Sequence, residues 1–153
     1  MRNREERYNM YADYMRTIEQ MRNDVFDGGL CLKQFEKIDE GWCNVQWVPI
    51  KVKSQEVGFL IIYTHPNCHP DADWYIEDAY IMPEYRNQGL MQKAVQTWVK
   101  EHPGTYCLFI VDSNEPARHM WPTVFEKMGY GPITLRQVLP HKNGLTQYGF
   151  QPK

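Results

Sequence analysis

The sequence predicts an α/β chain of the α+β kind: a mixed, mostly antiparallel sheet holding one parallel strand pair, with helices packed on it. Three observations carry that reading. The strand pattern Trp74–Ile81 is followed by a turn, a helical pattern and a second apolar strand at residues 105–111. A strand–helix–strand crossover makes those two strands parallel. Ahead of it, strand patterns at residues 44–52 and 56–64 are joined only by Lys53, Ser54 and Gln55, which implies an antiparallel hairpin. Behind it, patterns at residues 133–139 and 145–150 flank Asn143-Gly144, a strong hairpin turn.

The remaining elements follow in chain order. Tyr8, Tyr11, Tyr14 or Met15, Ile18, Met21 and Val25 recur at helical spacing, so a helix is expected over residues 5–25, ended by Asp27-Gly28-Gly29. The aromatic stripe reads as core packing. A shorter helix through Leu32, Phe35 and Ile38 closes at Gly41. Pro49 cannot donate to a ladder and places its strand at an edge or a bulge. The run Gly58-Phe59-Leu60-Ile61-Ile62-Tyr63 is nearly all apolar and suits a central strand. The following stretch, residues 65–73, contains His65, Cys68 and His69 among prolines. A zinc site needs three or four converging ligands, so a surface loop without metal is expected.

The stretch from Trp74 to Met91 organises the chain. After the strand, Met82-Pro83-Glu84-Tyr85 forms a turn that the proline keeps out of any ladder. Arg86-Asn87-Gln88-Gly89-Leu90-Met91 then opens a helix whose apolar residues are Leu90, Met91, Ala94, Val95, Trp98 and Val99, with His102-Pro103-Gly104 as its stop. A strand, a glycine turn and a helix N-terminus leave backbone N–H groups under a partial positive charge, a setting for phosphate or pyrophosphate. Asp112-Ser113-Asn114-Glu115-Pro116 supplies capping residues for the last helix. Pro122 kinks or restarts that helix, and Gly129 ends it.

Composition bounds the function. The 153 residues fit one domain. Apolar residues make up 42% and charged residues 24%, which excludes a disordered chain. A formal charge of -2 carries no electrostatic footprint for nucleic acid. Cys31, Cys43, Cys68 and Cys107 show no paired spacing, consistent with reduced thiols and a cytoplasmic location. The polar start, Met1-Arg2-Asn3-Arg4-Glu5-Glu6, is no signal peptide, and no apolar run reaches membrane-spanning length.

Three motifs, in order across residues 56–130, resemble those of the GNAT superfamily of acyl-CoA-dependent N-acyltransferases. Arg86-Asn87-Gln88-Gly89-Leu90-Met91 resembles the family's pyrophosphate loop, with Met91 where Gly or Ala is usual. Ile76-Glu77-Asp78-Ala79-Tyr80-Ile81-Met82-Pro83-Glu84-Tyr85 is similar to its lead-in strand and turn. Phe125-Glu126-Lys127-Met128-Gly129-Tyr130 is similar to its last helix ending. The resemblance implies a GNAT-like sheet whose central parallel pair splays apart, with helices on both faces. It implies acetyl-CoA as cosubstrate, with the pyrophosphate on the N–H groups from Gln88 to Met91. Pantetheine would lie between the splayed strands, on the backbone of Tyr80, Ile81 and Met82, with Asn114 at the cleft; Asn114 serves equally well as a helix cap.

The implied activity is acetyl transfer to a primary amine by direct attack in a ternary complex. The alternative is a GNAT-fold module that holds acyl-CoA without turnover. Amine transfer needs a base, and Glu77 resembles the glutamate of polyamine-type members. Strand alternation allows only one of Glu77 and Asp78 to face the cleft and leaves open which. Where the family often carries a tyrosine acid on the last helix, this chain has Phe125 or Trp121, depending on the count; His119 and Tyr130 are nearby donors. Asp71, Asp73 and Asp78 would suit a cationic acceptor, a polyamine among them. Partners are a small-molecule or peptide amine, and a homodimer is common in the family.

Overall fold

The computed structural model describes residues 4–64, 70–135 and 144–153. Six strands form one sheet in the order β1-β2-β3-β4-β6-β5: β1 (Gln46–Val52), β2 (Gln55–Thr64), β3 (Trp74–Ile81), β4 (Tyr106–Val111), β5 (Tyr130–Ile133) and β6 (Leu145–Pro152). Every neighbouring pair is antiparallel except β3–β4. Four helices complete the fold: α1 (Arg4–Met21), α2 (Gly28–Asp39), α3 (Leu90–Glu101) and α4 (Glu115–Lys127).

The helices cover both faces. Val95, Trp98 and Val99 of α3 and Trp121, Val124 and Phe125 of α4 share one core with Leu60, Ile62, Ile76 and Leu108 of the sheet. Tyr11 of α1 and Phe35 and Ile38 of α2 share the other with Phe59, Ile61 and Tyr80. Strand β2 is therefore apolar on both sides. Val57, Phe59, Leu60, Ile61 and Ile62 have no exposed surface, as a central strand requires. Pro49 lies in β1, at the sheet edge, where its missing N–H costs no ladder bond.

The β1–β2 connection is shorter than expected, because Gln55 already belongs to β2. Lys53 and Ser54 both take positive φ, at 50° and 71°, the pattern of a two-residue type I′ hairpin turn. Gly58 marks a close approach of strands: a Cβ there would lie 2.2 Å from the carbonyl oxygen of Tyr80.

Several element limits differ from expectation. Helix α1 stops at Met21 rather than residue 25, because Asn23 turns left-handed (φ 56°) and the Asp24 N–H returns to the Glu19 carbonyl, a Schellman ending. Asp27 does not end α1 but caps α2, accepting from Leu30 N–H. Helix α4 runs as one element across Pro122. The last hairpin begins early: β5 is Tyr130–Ile133, paired with β6 from Tyr130↔Pro152 to Ile133↔Gly149. Residues 136–143, including Asn143, and residues 65–69, which include His65, Cys68 and His69, lie outside the described residues.

Candidate active site

The β3–β4 ladder is short. It holds at Trp74↔Tyr106, Tyr75↔Cys107 and Ile76↔Leu108 and then ends. Beyond Ile76 the strands separate, and a cavity of about 410 Å³ opens between them. Its strand walls include Glu77, Asp78 and Ala79 on one side and Phe109 and Ile110 on the other. Met91, Asn114 and Trp121 border it from the α3/α4 face, Tyr14, Met15 and Glu19 from the α1 face. The opening thus passes through the sheet.

The break has a local cause. Register in the β2–β3 ladder runs from Ile61↔Asp78 directly to Ile62↔Ile76, so Glu77 is an extra residue in β3. Such a bulge bends the strand and interrupts alternation. Tyr75 stacks on Tyr63 on the α1/α2 side, and Tyr80, five residues on, packs into that same side's core. Strict alternation would have put these two residues on opposite faces. The expectation that only one of Glu77 and Asp78 faces the cleft is therefore overturned: both line this cavity.

Both also line a second cavity, of about 690 Å³, between α1, α2 and β3. Tyr11, Phe26, Leu30 and Cys31 form part of its wall, and Met15 and Glu19 are common to both cavities. The carboxylate pair thus stands in the walls of both spaces.

The electrostatics of the pair are unusual. Burial holds the Glu77 carboxyl well above the ordinary carboxylate range, and the negative charge of Asp78 beside it raises it further. A hydrogen bond with Tyr63 opposes the shift. Among the described residues, Oε2 of Glu77 is buried with no hydrogen-bond partner. Burial raises Asp78 as well, against the bond it makes with Tyr14. A buried carboxylate that loses its proton so reluctantly is matched to proton transfer near neutrality. The tyrosines respond in kind: burial, then the charge of Asp78, raises Tyr14, and burial, then Glu77, raises Tyr75.

At the open end of the strands stands the N-terminus of α3. The expected helical start at Arg86 is corrected to Leu90, with Gly89 as N-cap at φ 74° and no side-chain cap bond. Only the Lys93 N–H returns to Gly89 O, so the preceding first-turn N–H groups have no intrahelical acceptor. Nothing lies within 4 Å of a Cβ built on Gly89, and Asn87 is left-handed at φ 63°. Leu90 and Met91 pack on the α3/α4 core, and Met91 also reaches the first cavity. Asn87 and Gln88 are exposed. The Arg86 guanidinium turns back to donate to Ile81 O (2.8 Å) and lies over the Tyr80 ring.

The other expected residues are dispersed. Tyr80 and Ile81 end β3 past the cavity rim, and Met82 follows them. The Tyr80 hydroxyl donates to Asp13 (2.6 Å), and the Met82 N–H donates to Val57 O. Asn114 lines the cavity, yet its Oδ1 accepts from Ala117 N–H as the α4 cap. Trp121 occupies the wall that α4 presents, while Phe125 is buried against Phe150. His119 is exposed, and the Tyr130 hydroxyl accepts from Gly104 N–H at the opposite end of the strands; neither lines either of the two cavities described above. Asp73 accepts from Thr105 N–H at that same end, so Asp71 and Asp73 do not converge with Asp78. Missed altogether were Tyr14, Tyr63 and Tyr75. Their available signal was the hydroxyl itself, since a buried tyrosine needs a partner that phenylalanine does not.

Known proteins share this architecture. Residues 8–130 match the model of the acetyltransferase (GNAT) family. An acetyltransferase from Thermus thermophilus superposes with a TM-score of 0.63 at 11% identity, covering 93% of this chain and 88% of the other. A GNAT-family acetyltransferase from Staphylococcus aureus gives 0.60 at 16% identity, covering 97% and 94%. A GNAT-family protein from Bordetella pertussis gives 0.59 at 12%, covering 96% and 90%. A search of curated proteins gave no match. The six-strand sheet opened at its parallel pair, with two helices on each face, is the acetyltransferase type of α/β fold. The chain belongs to the GNAT acetyltransferase family. No helix among the described residues is long and apolar enough to cross a membrane.

Proposed function

We propose that the chain moves an acetyl group from acetyl-CoA to a primary amine by direct attack in a ternary complex. One observation carries the reading: a cavity through the splayed strands and a cavity under α1 and α2 share half-buried Glu77 and Asp78 in their walls. Donor and acceptor can then approach from opposite faces and meet beside a base.

The residues fit the donor. The uncapped first turn of α3, with open space above Gly89, suits a pyrophosphate held by the N–H groups from Gln88 to Met91. Arg86 braces the loop through Ile81, and Asn87 supplies its left-handed turn. Beyond Ile76 the backbone of β3 has lost its β4 partner. Its edge at Tyr80, Ile81 and Met82 leads from the helix terminus to the cavity, with Asn114 and Met91 at the mouth.

Bound acetyl-CoA supplies the thioester carbonyl. Glu77 accepts a proton from the amine, whose nitrogen forms the new C–N bond as the C–S bond breaks. The sulfur leaves as thiolate, and an ordinary thiol pKa of about 8.5 makes that tolerable without a dedicated acid.

Trp121, standing without a hydroxyl where the last helix meets the cavity, favours a second reading, a module that binds acyl-CoA without turnover. Thermal unfolding with acetyl-CoA, and adenosine monophosphate as control, tests the shared part. A ligand at 100 times its dissociation constant adds about 2.7 kcal/mol of stability. Thiol release with amines then separates the two readings. An absent shift at millimolar acetyl-CoA would refute both.

A further inference from the structure

The second cavity has a chemistry of its own, which the acyl-transfer reading does not specify. Five acidic residues line it: Glu19, Asp24, Asp27, Glu77 and Asp78. Three are already committed. Glu19 and Asp24 flank the Arg22 guanidinium at 3.2 and 3.7 Å, and Asp27 caps α2 by accepting from Leu30 N–H at 3.1 Å. Those three have partners at the rim, whereas at the Glu77–Asp78 floor Oε2 of Glu77 is buried and unpartnered among the described residues. A single ammonium satisfies that floor.

The walls ask for something different. Tyr11, Met15 and Phe26 present apolar surface inside, and Val25 and Leu30 continue it to the mouth. Those last two are 83% and 64% exposed, apolar surface that contributes nothing to either core. The mouth also holds the exposed Lys33 and Lys37. A second ammonium on a long acceptor would pass these like charges on its way out, which disfavours a polycation.

We infer that this cavity selects a primary amine with one positive charge and a compact apolar body, its ammonium on Glu77 and Asp78 and its body against Tyr11, Met15, Phe26 and Leu30. The volume of about 690 Å³ is in the usual range for small-molecule sites. The inference rests on the acyl-transfer reading for naming this occupant the acceptor. It departs from the polyamine suggested by the loop acids, since Asp71 and Asp73 lie elsewhere.

Calorimetric titration of the full chain with 2-phenylethylamine, spermidine and uncharged 2-phenylethanol tests it, alongside the acetyl-CoA thermal shift. The expected order places 2-phenylethylamine about tenfold or more ahead of both others. Val25→Ser with Leu30→Ser, at positions too exposed to endanger folding, should weaken it several-fold. Equal or tighter binding of spermidine, or no effect of the double substitution, overturns the inference. An acetyl-CoA shift without 2-phenylethylamine binding defeats the substrate class and leaves acyl transfer standing. The reverse result, amine binding without any acetyl-CoA shift, removes the acceptor role and the acyl-transfer reading together.

Discussion

Strands β3 and β4 are paired at one end and parted at the other, and the two ends treat polar groups in opposite ways. At the paired end, Trp74 opposes Tyr106, and His102 stacks on Trp98 with centroids 3.7 Å apart. Tyr106 donates to His102 O at 2.6 Å, and Asp73 accepts from Thr105 N–H at 2.8 Å. Backbone and hydroxyl groups find partners here, and the one buried orphan at this end among the described residues, Nε1 of Trp98, carries no charge. At the parted end, Glu77 and Asp78 are drawn out of water side by side, and one carboxylate oxygen has no partner among the described residues. Burial there works against the charged form. The same two strands thus hold a paired clamp and, a few residues further on, the candidate site with its unfavourably buried acids.

Mutation should separate the ends cleanly, and the largest effect belongs to the parted one. Glu77→Gln keeps the shape and removes the base, so kcat/KM for thiol release should fall about 10²–10⁴-fold while the acetyl-CoA thermal shift persists. A fall in both would mean that Glu77 serves binding instead. At the paired end, Tyr106→Ala empties a fully buried aromatic site. It should cost about 3–5 kcal/mol and lower the unfolding temperature by roughly 10 °C.

A subtler contrast lies in pH. Glu77 and Asp78 hold protons in the folded state at pH values where an unfolded carboxylate has lost them. Stability should therefore fall as pH rises from the ordinary carboxylate range through the raised folded range, and then level off. Glu77→Gln removes part of that penalty, so it should raise the unfolding temperature at pH 8 and not at pH 4. If Glu77 is the base proposed above, the rate should run the other way, climbing with pH as Glu77 ionises. Asp78→Asn should move that climb to lower pH, because a neighbouring negative charge is gone; an unmoved profile would show that burial alone sets it. Least of all, Arg118→Ala breaks an exposed pair with Glu115 on α4 and should change stability by under about 0.5 kcal/mol in melting experiments.

Much of this frame was legible in the sequence. Apolar and β-branched residues between a proline-rich loop and Pro83 placed β3 at Trp74–Ile81, and the apolar run after Gly58 marked the central strand. Pro49 located an edge. These are properties of residues and near neighbours. The bulge is not. No glycine marks it, and it exists only through pairing with Ile61 and Ile62 of β2, so alternation misjudged the two acids that matter most. Tyr14 and Tyr63 were hidden for a related reason: helical spacing and strand alternation show which face each shares, but the carboxylates that bond them come from β3. Asp71 and Asp73 erred oppositely, near in sequence to Asp78 yet at the other end of a strand that carries them away.

The bulge also changes what heredity can do here. Without Glu77, Asp78 would follow Ile76 in unbroken alternation, facing α1 and α2 as it does now, and every later residue would keep its side of the sheet. Such a chain has a regular ladder, intact cores and a single carboxylate where two stand. The loss of one codon within a strand, an event ordinarily ruinous to a fold, would here remove the bulge that parts β3 from β4 while leaving the residues of both cores on their own sides. In this region function is written in the number of residues as much as in their kinds.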